Sequence, residues 1–233
     1  MSSVNGVLLV DKPRGRNSFA LVAVLRRLLG VQKIGHTGTL DPFATGVMVM
    51  LIGRQFTRLS DKFLSADKEY IAEVRLGIST DTFDCDGKIL SESTFIPSEE
   101  QVINAVSQFQ GEIDQVPPMF SAKKQNGKKL YELARQGKTV ERLPVRIRVE
   151  TQLLSYQYPD IKLSISCSKG TYIRSIANDI GLLLTCGAHV TDLRRVRSGY
   201  FHLKDCYDGG LLFSPDVDMV ALRRRIDENL GIT

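Results

Sequence analysis

Three segments of this 233-residue chain combine reactive side chains with residues that restrict the backbone carrying them. The first is Gly35-His36-Thr37-Gly38-Thr39-Leu40-Asp41-Pro42-Phe43-Ala44-Thr45-Gly46. Its glycines permit close approach of the backbone to another group, and Pro42 fixes its own φ and drives Asp41 out of the helical region. A carboxylate held on such a loop is either a general base or nucleophile or an ordinary turn aspartate ahead of proline, and the segment alone weighs these equally. The glycine spacing does not fit a phosphate-binding P-loop, and no Lys-Ser/Thr pair follows. His36 and Asp41 lack a third nearby ligand, so no metal site is expected there. The second segment is Lys169-Gly170-Thr171-Tyr172-Ile173-Arg174. With Thr171 as a helix cap, Arg174 lies in the first turn, where a cation opposes the helix dipole by roughly 0.3–1 kcal/mol. An arginine so placed, beside the apolar stripe Ile173, Ile176, Ala177 and Ile180, either meets a carboxylate or reaches outward into water. Third is Tyr70, which is either a sheet-face aromatic or a stacking platform for a base with its hydroxyl near the reacting atoms.

These residues need elements to hold them. Gly6 to Val10 and Val47 to Ile52 are short apolar runs that predict buried strands on either side of a helix capped by Asn17 or Ser18 and stopped at Gly30. From Lys68, Tyr70, Ala72, Val74 and Leu76 alternate with polar residues, which predicts a half-buried strand. The same alternation recurs at 145–150 and 161–167. Ser98 and Gln101 have capping-box spacing for a helix to about Phe109. A short basic helix is expected over Lys128–Gln136, a helix from Thr171 to about Thr185, extended chain over 189–203, and a final helix from Pro215 to Leu230. Alternating strands interspersed with helices predict an α+β fold with a mixed, mainly antiparallel central sheet and flanking helices.

The net charge of +5 hides a segregation. Residues 1–60 carry 8 basic and 2 acidic side chains, 61–119 carry 4 and 12, 120–148 carry 9 and 2, and 149–233 carry 10 of each. The stretch Lys123, Lys124, Lys128, Lys129, Arg135, Lys138, Arg142, Arg146 and Arg148 is either a phosphate-backbone surface or a solvated face. Cys85, Cys167, Cys186 and Cys206 show no Cys-x-x-Cys spacing, and only His36, His189 and His202 could join them. Reduced cysteines in a cytoplasmic protein without a structural zinc are therefore expected. Val47–Ile52 is too short to span a bilayer, and no secretory leader is expected.

Seven ordered motifs carry a resemblance. They are Gly6-Val7-Leu8-Leu9-Val10-Asp11-Lys12-Pro13-x-Gly15; Gly35-His36-Thr37-Gly38-Thr39-Leu40-Asp41-Pro42; Lys68-x-Tyr70 with Leu76-Gly77; Pro117-Pro118-x-x-Ser121-Ala122-x-Lys124; Tyr131-x-x-Ala134-Arg135-x-Gly137; Cys167-Ser168-Lys169-Gly170-Thr171-Tyr172-Ile173-Arg174; and Leu193-Arg194-Arg195. On these the chain resembles the bacterial tRNA pseudouridine synthases of the TruB type. The resemblance implies a pseudouridine synthase fold, conversion of a T-loop uridine in tRNA to pseudouridine after base flipping, and no cofactor or metal. It implies Asp41, Arg174 and Tyr70 as catalytic residues, with Arg174 paired to Asp41 and Tyr70 stacked on the target base. It further implies that His36 holds the RNA loop with its base turned out, that Lys12, Lys124 and Tyr172 bind substrate, and that an insertion at about 120–150 closes on the RNA. The expected organisation is one catalytic domain over 1–233, acting as a monomer, with Arg223, Arg224 and Arg225 in a helix-like segment instead of a separate C-terminal RNA-binding domain. Phe120 stands where the family usually has tyrosine, and Asn17 where threonine is common. A different class, an RNA-binding or RNA-folding module without catalysis, rests on the basic stretch 120–148.

Overall fold

Apolar residues at successive positions leave a strand no polar face, so such a run must be covered on both sides. Val7–Val10 and Val47–Ile52 are buried throughout. A computed structural model describes residues 4–125 and 127–227. In chain order the elements are β1 (Gly6–Lys12), α1 (Ser18–Leu29), β2 (Ile34–His36), β3 (Thr45–Ile52), α2 (Arg54–Thr57), α3 (Ser60–Leu64), β4 (Lys68–Leu76), β5 (Ile78–Thr80), β6 (Ile89–Glu92), α4 (Glu99–Ser107), β7 (Gln110–Gln115), β8 (Lys124–Gln125), β9 (Lys128–Lys129), α5 (Leu130–Ala134), β10 (Val145–Gln157), β11 (Asp160–Cys167), α6 (Ile173–Leu183), β12 (Ala188–Ser198), β13 (Phe201–His202), β14 (Tyr207–Asp208) and α7 (Met219–Asp227). The strands pair mainly antiparallel, as the sequence predicts, and the fold is α+β. The chain divides into two compact units, one running to Glu69 and resuming at Arg194, the other spanning Tyr70–Leu193.

In the first unit, β1 runs antiparallel to β3 from Gly6 opposite Ile52 to Lys12 opposite Gly46. Its other edge takes β14 in parallel, Val10 opposite Tyr207. The core packs Val7, Leu9, Val47, Val49, Leu51, Phe56 and Phe201 together, each such burial contributing about 1.5–3 kcal/mol. Asn17 caps α1 by accepting from the Ala20 N–H (2.8 Å), and Gly30 ends it in the left-handed region. Gly46 faces Arg194–Arg195 of β12 in a parallel pair. At φ +107° its missing Cβ would lie 2.2 Å from the Arg195 carbonyl oxygen, so only glycine fits.

In the second unit, β10 is flanked by β11 and β7, both antiparallel. Burial alternates along β4 and β11, with Tyr70, Ala72, Val74 and Leu76 inward on one and Ile161, Leu163, Ile165 and Cys167 on the other. The Ser98–Gln101 capping box forms at α4. Three expectations change. The cap of α6 is Tyr172, not Thr171, whose hydroxyl donates to the Ser168 carbonyl. Of the basic helix expected over Lys128–Gln136 only the shorter α5 forms; Lys128 and Lys129 pair with Gln125 and Lys124 as β9 and β8, and Leu130 and Tyr131 donate backbone bonds to Lys123 and Ser121. In the first unit, α7 starts at Met219 and not Pro215, since the Asp218 carboxylate accepts from the Val220 and Ala221 N–H groups; Leu230 lies outside the described residues. No helix among these is long and apolar enough to cross a membrane.

Candidate active site

The loop carrying Asp41 is fixed on both sides of that residue. The Ser18 hydroxyl, at the start of α1, donates to the Leu40 carbonyl (3.0 Å) and accepts from the Leu40 N–H (2.9 Å). On the other side, the Pro42 carbonyl accepts from the Gly15 N–H (2.8 Å) and from Lys12 Nζ (3.2 Å). Lys12 is fully buried, and its ammonium also donates to the carbonyls of Pro13 (3.0 Å) and Arg16 (2.5 Å). Arg195 secures the two ends of the loop. Its Nε donates to the Val47 carbonyl (2.7 Å) and Nη2 to the Gly38 carbonyl (3.2 Å). Asp41 itself is half-buried. The result is a carboxylate whose neighbours on either side have their backbone groups bound, which sets its position in the loop.

Burial pushes the Lys12 ammonium down to about 8, and the neighbouring Arg195 adds to this, while Asp41 and Asp11 oppose it. Lys12 therefore remains largely protonated at neutral pH and bonded to three carbonyls. Burial, with Arg195 nearby, also lowers the pKa of His36, so its imidazole is neutral at pH 7. Its Nδ1 is buried and has no hydrogen-bond partner among the described residues. Farther along, Arg194 bonds Asp11 (2.6 Å) and the Thr45 hydroxyl (3.0 Å), bracing the base of β3.

In the second unit Arg174 is buried with 4% exposure at the start of α6. Its Nη1 donates to the Thr82 carbonyl (2.8 Å) and lies 3.3 Å from Asp84 Oδ2, and Nη2 donates to the Phe120 carbonyl (2.8 Å). Asp84 is also buried and accepts from the Thr82 hydroxyl (2.6 Å) and the Asp86 N–H (3.1 Å). The turn that presents it holds Phe83 at φ +64°, an unusual conformation for a bulky residue. The start of α6 is held by Gln115, whose amide donates to the Tyr172 carbonyl (3.0 Å) and accepts from the Tyr172 N–H (2.8 Å). Ser175 donates to the Val116 carbonyl (3.1 Å). Asp84 and Gln115 were not singled out from sequence. Three aspartates ahead of Gly87 read as a polar turn, and a lone glutamine at a strand end carries no local signal.

Tyr70 is buried on the inner face of β4, with 8% exposure. Tyr172 is half-buried at the α6 cap, and Lys124 is exposed in the β8–β9 hairpin. Around Lys124, Lys123, Lys128, Arg135, Lys138, Arg146 and Arg148 are also exposed. Tyr131 lies between two cations, Lys129 and Arg135, each 5.4 Å from its ring centroid. Leu130 is buried beneath them and anchors this basic segment. The Arg174–Phe120 bond ties the start of the segment to the buried arginine.

The family model described as "TruB family pseudouridylate synthase (N terminal domain)" matches residues 26–173, and that of the "tRNA pseudouridylate synthase B C-terminal domain" matches 174–212. A protein of Protochlamydia amoebophila named tRNA pseudouridine synthase B is 64% identical over 208 residues, 89% of this chain and 79% of the relative. Its namesake in Chlamydia felis is 57% identical over 225 residues, 97% of this chain and 96% of the relative. Among solved structures, a chain of a Cbf5-Nop10-Gar1 complex is 29% identical with a TM-score of 0.71, matched over 94% of this chain and 59% of its own length. A chain of an H/ACA RNP bound to a substrate RNA containing 2′-deoxyuridine is 30% identical with a TM-score of 0.67, matched over 89% and 52%. This chain thus spans about half to three-fifths of those solved chains. Matched by the family model over most of its length and by close relatives nearly end to end, the chain belongs to the TruB family of pseudouridylate synthases and is an isomerase.

Proposed function

We propose that the protein converts a uridine in the T loop of tRNA to pseudouridine, with Asp41 as the catalytic carboxylate. The relatives named tRNA pseudouridine synthase B support tRNA as substrate. The observation that carries the assignment of Asp41 is the double anchoring of its loop, through Ser18 at Leu40 and through Lys12 and Gly15 at Pro42. A turn aspartate of no consequence needs no buried ammonium and buried hydroxyl to fix the residues beside it.

The reaction breaks the C1′–N1 glycosidic bond, rotates the uracil, and forms a C1′–C5 bond. The proton on C5 is lost and N1 gains one, so atoms and electrons balance without redox or phosphoryl chemistry. Asp41 acts at the sugar, as nucleophile at C1′ or base at C2′. Taking the base out of the stack costs a few kcal/mol, and stacking on Tyr70 recovers roughly 1–3 kcal/mol. Arg174, bound to Asp84 in the second unit, is the second catalytic residue. Neutral His36 holds the RNA loop through its ring, and Tyr172 and Lys124 contact the substrate. Lys12 serves the substrate indirectly, by setting the Pro42 carbonyl. The basic segment at about 120–150 closes on the RNA backbone, and the protein works as a cytoplasmic monomer.

Tritium release from tRNA labelled at uracil C5 tests this, because the C5 hydrogen leaves only when the new carbon–carbon bond forms. One equivalent per tRNA is expected without added cofactor, and carbodiimide mapping should place the product in the T loop. The exposed basic segment favours one rival, an RNA-binding module without catalysis. Salt-sensitive tRNA binding with no tritium release would establish that rival instead.

A further inference from the structure

The first unit carries a second basic surface, remote in sequence from the segment at 120–150. In α7 the side chains of Leu222 and Ile226 are fully buried, which turns Arg223, Arg224 and Arg225 outward, and all three are exposed. Between α7 and β14 lies an open cleft of about 350 Å³ lined by Cys206, Tyr207, Asp208, Ala221, Arg224 and Arg225. Burial, with Asp11 and Asp205 close by, pushes the Cys206 thiol up to about 12. The thiol therefore stays neutral and offers no nucleophile. The charged groups of the cleft are two guanidinium groups and Asp208, whose Oδ1 accepts from the Gly210 N–H (2.8 Å).

Contacts within the unit connect this cleft to the Asp41 loop. β14 lies parallel to β1, with Asp208 opposite Asp11, and the Gly209 N–H donates to the Asp11 carbonyl (3.0 Å). β1 leads directly into Pro13-Arg14-Gly15-Arg16, and Gly15 bonds Pro42 beside Asp41. Arg16 lies over the Phe213 ring at 4.5 Å. Exposed cations thus stand at both ends of these contacts, Arg14 and Arg16 next to the Gly15 that bonds Pro42 and Arg224 and Arg225 at the cleft. A polynucleotide presents a regular row of phosphates, and the fork of a guanidinium binds phosphate oxygens in pairs.

We propose that the α7 arginine ridge and its cleft bind the phosphodiester backbone of the RNA substrate outside the loop that bears the target uridine. This rests on the tRNA reading above. A lipid surface is disfavoured, because Leu222 and Ile226 of α7 face the core and the exposed Val220 alone makes no insertable apolar stripe.

The test compares a full-length tRNA transcript with an isolated T stem-loop, using wild type, Arg224→Glu/Arg225→Glu and Arg224→Lys/Arg225→Lys. For full-length tRNA at about 0.1 M salt, the Glu pair should weaken binding about 10-fold or more and flatten the log–log salt slope by about 2. On the stem-loop, affinity and tritium release should stay within about twofold of wild type, and the Lys pair should keep most of the full-length affinity. Unchanged full-length binding by the Glu pair overturns the proposal, as does an equal loss on both RNAs. A Lys pair as weak as the Glu pair also overturns it, by assigning the effect to packing. Unaltered tRNA binding with lost affinity for polyglutamate would give the ridge to an acidic protein partner and overturn it too. A wild type that releases no tritium from either RNA would instead sink the enzymatic reading.

Discussion

The Asp41 loop and the Arg174 centre handle buried charge in opposite ways. Around Asp41, the buried cations Lys12 and Arg195 are bonded to backbone carbonyls, and the carboxylate they support stays half-exposed. Around Arg174, the cation is buried against a buried carboxylate, Asp84, and also donates to the Thr82 and Phe120 carbonyls. The first plan uses buried charge to shape the loop that carries a half-exposed acid. The second uses a carboxylate to make a buried arginine tolerable, since an unpaired charge there would be costly.

Breaking the second centre should have the largest effect on stability. Arg174→Ala strands Asp84 in the interior and should cost about 3–5 kcal/mol in chemical denaturation. The double change Arg174→Met/Asp84→Leu should recover most of that loss without restoring tritium release, which would separate the arginine's part in folding from its proposed part in catalysis. If Arg174→Ala left the denaturation midpoint unmoved, the buried pair would contribute nothing.

The next effect is specific to the first centre and depends on pH. Lys12 has its pKa lowered from 10.5 to about 8 in the fold. Below pH 8 it is protonated folded and unfolded, and the folded state carries the full burden of the buried charge. Between about 8 and 10.5 the unfolded chain holds a proton the folded one has released, so stability must rise with pH. Relative to Lys12→Met, wild type should therefore gain about 3 kcal/mol across that window. A gap between the two proteins that is flat with pH would show that the ammonium is not buried in solution. Smaller again is Ser18→Ala, which leaves the Leu40 N–H and carbonyl without their partner. It should cost about 1–3 kcal/mol and lower turnover more than tRNA affinity, measured by tritium release against filter binding.

Much of the first centre was legible in the sequence because its parts are local or strongly patterned. The all-apolar runs of β1 and β3 marked buried strands, and the glycines and Pro42 marked a constrained loop around Asp41. Asn17 and Ser18 both marked the start of α1, and the fold takes Asn17 as its cap. The second centre was only half legible. Arg174 stood out for its unfavourable place in a helix, but its partner Asp84 and the Gln115 clamp on Tyr172 come from distant segments that meet only in the fold. The same gap explains the misplaced cap of α6. Thr171 has the right side chain, yet Gln115 satisfies the backbone of Tyr172 and Thr171 turns back to Ser168. At α7 a competing local signal, Asp218, prevailed over Pro215.

Whether the Asp41 carboxylate acts on the sugar is decided by single-turnover tritium release from Asp41→Asn, a change that keeps size and loop anchoring while removing the charge. This variant should bind tRNA within a few-fold of wild type and react more slowly by about 10³-fold or more. Release at the wild-type rate by this variant would contradict that role for Asp41.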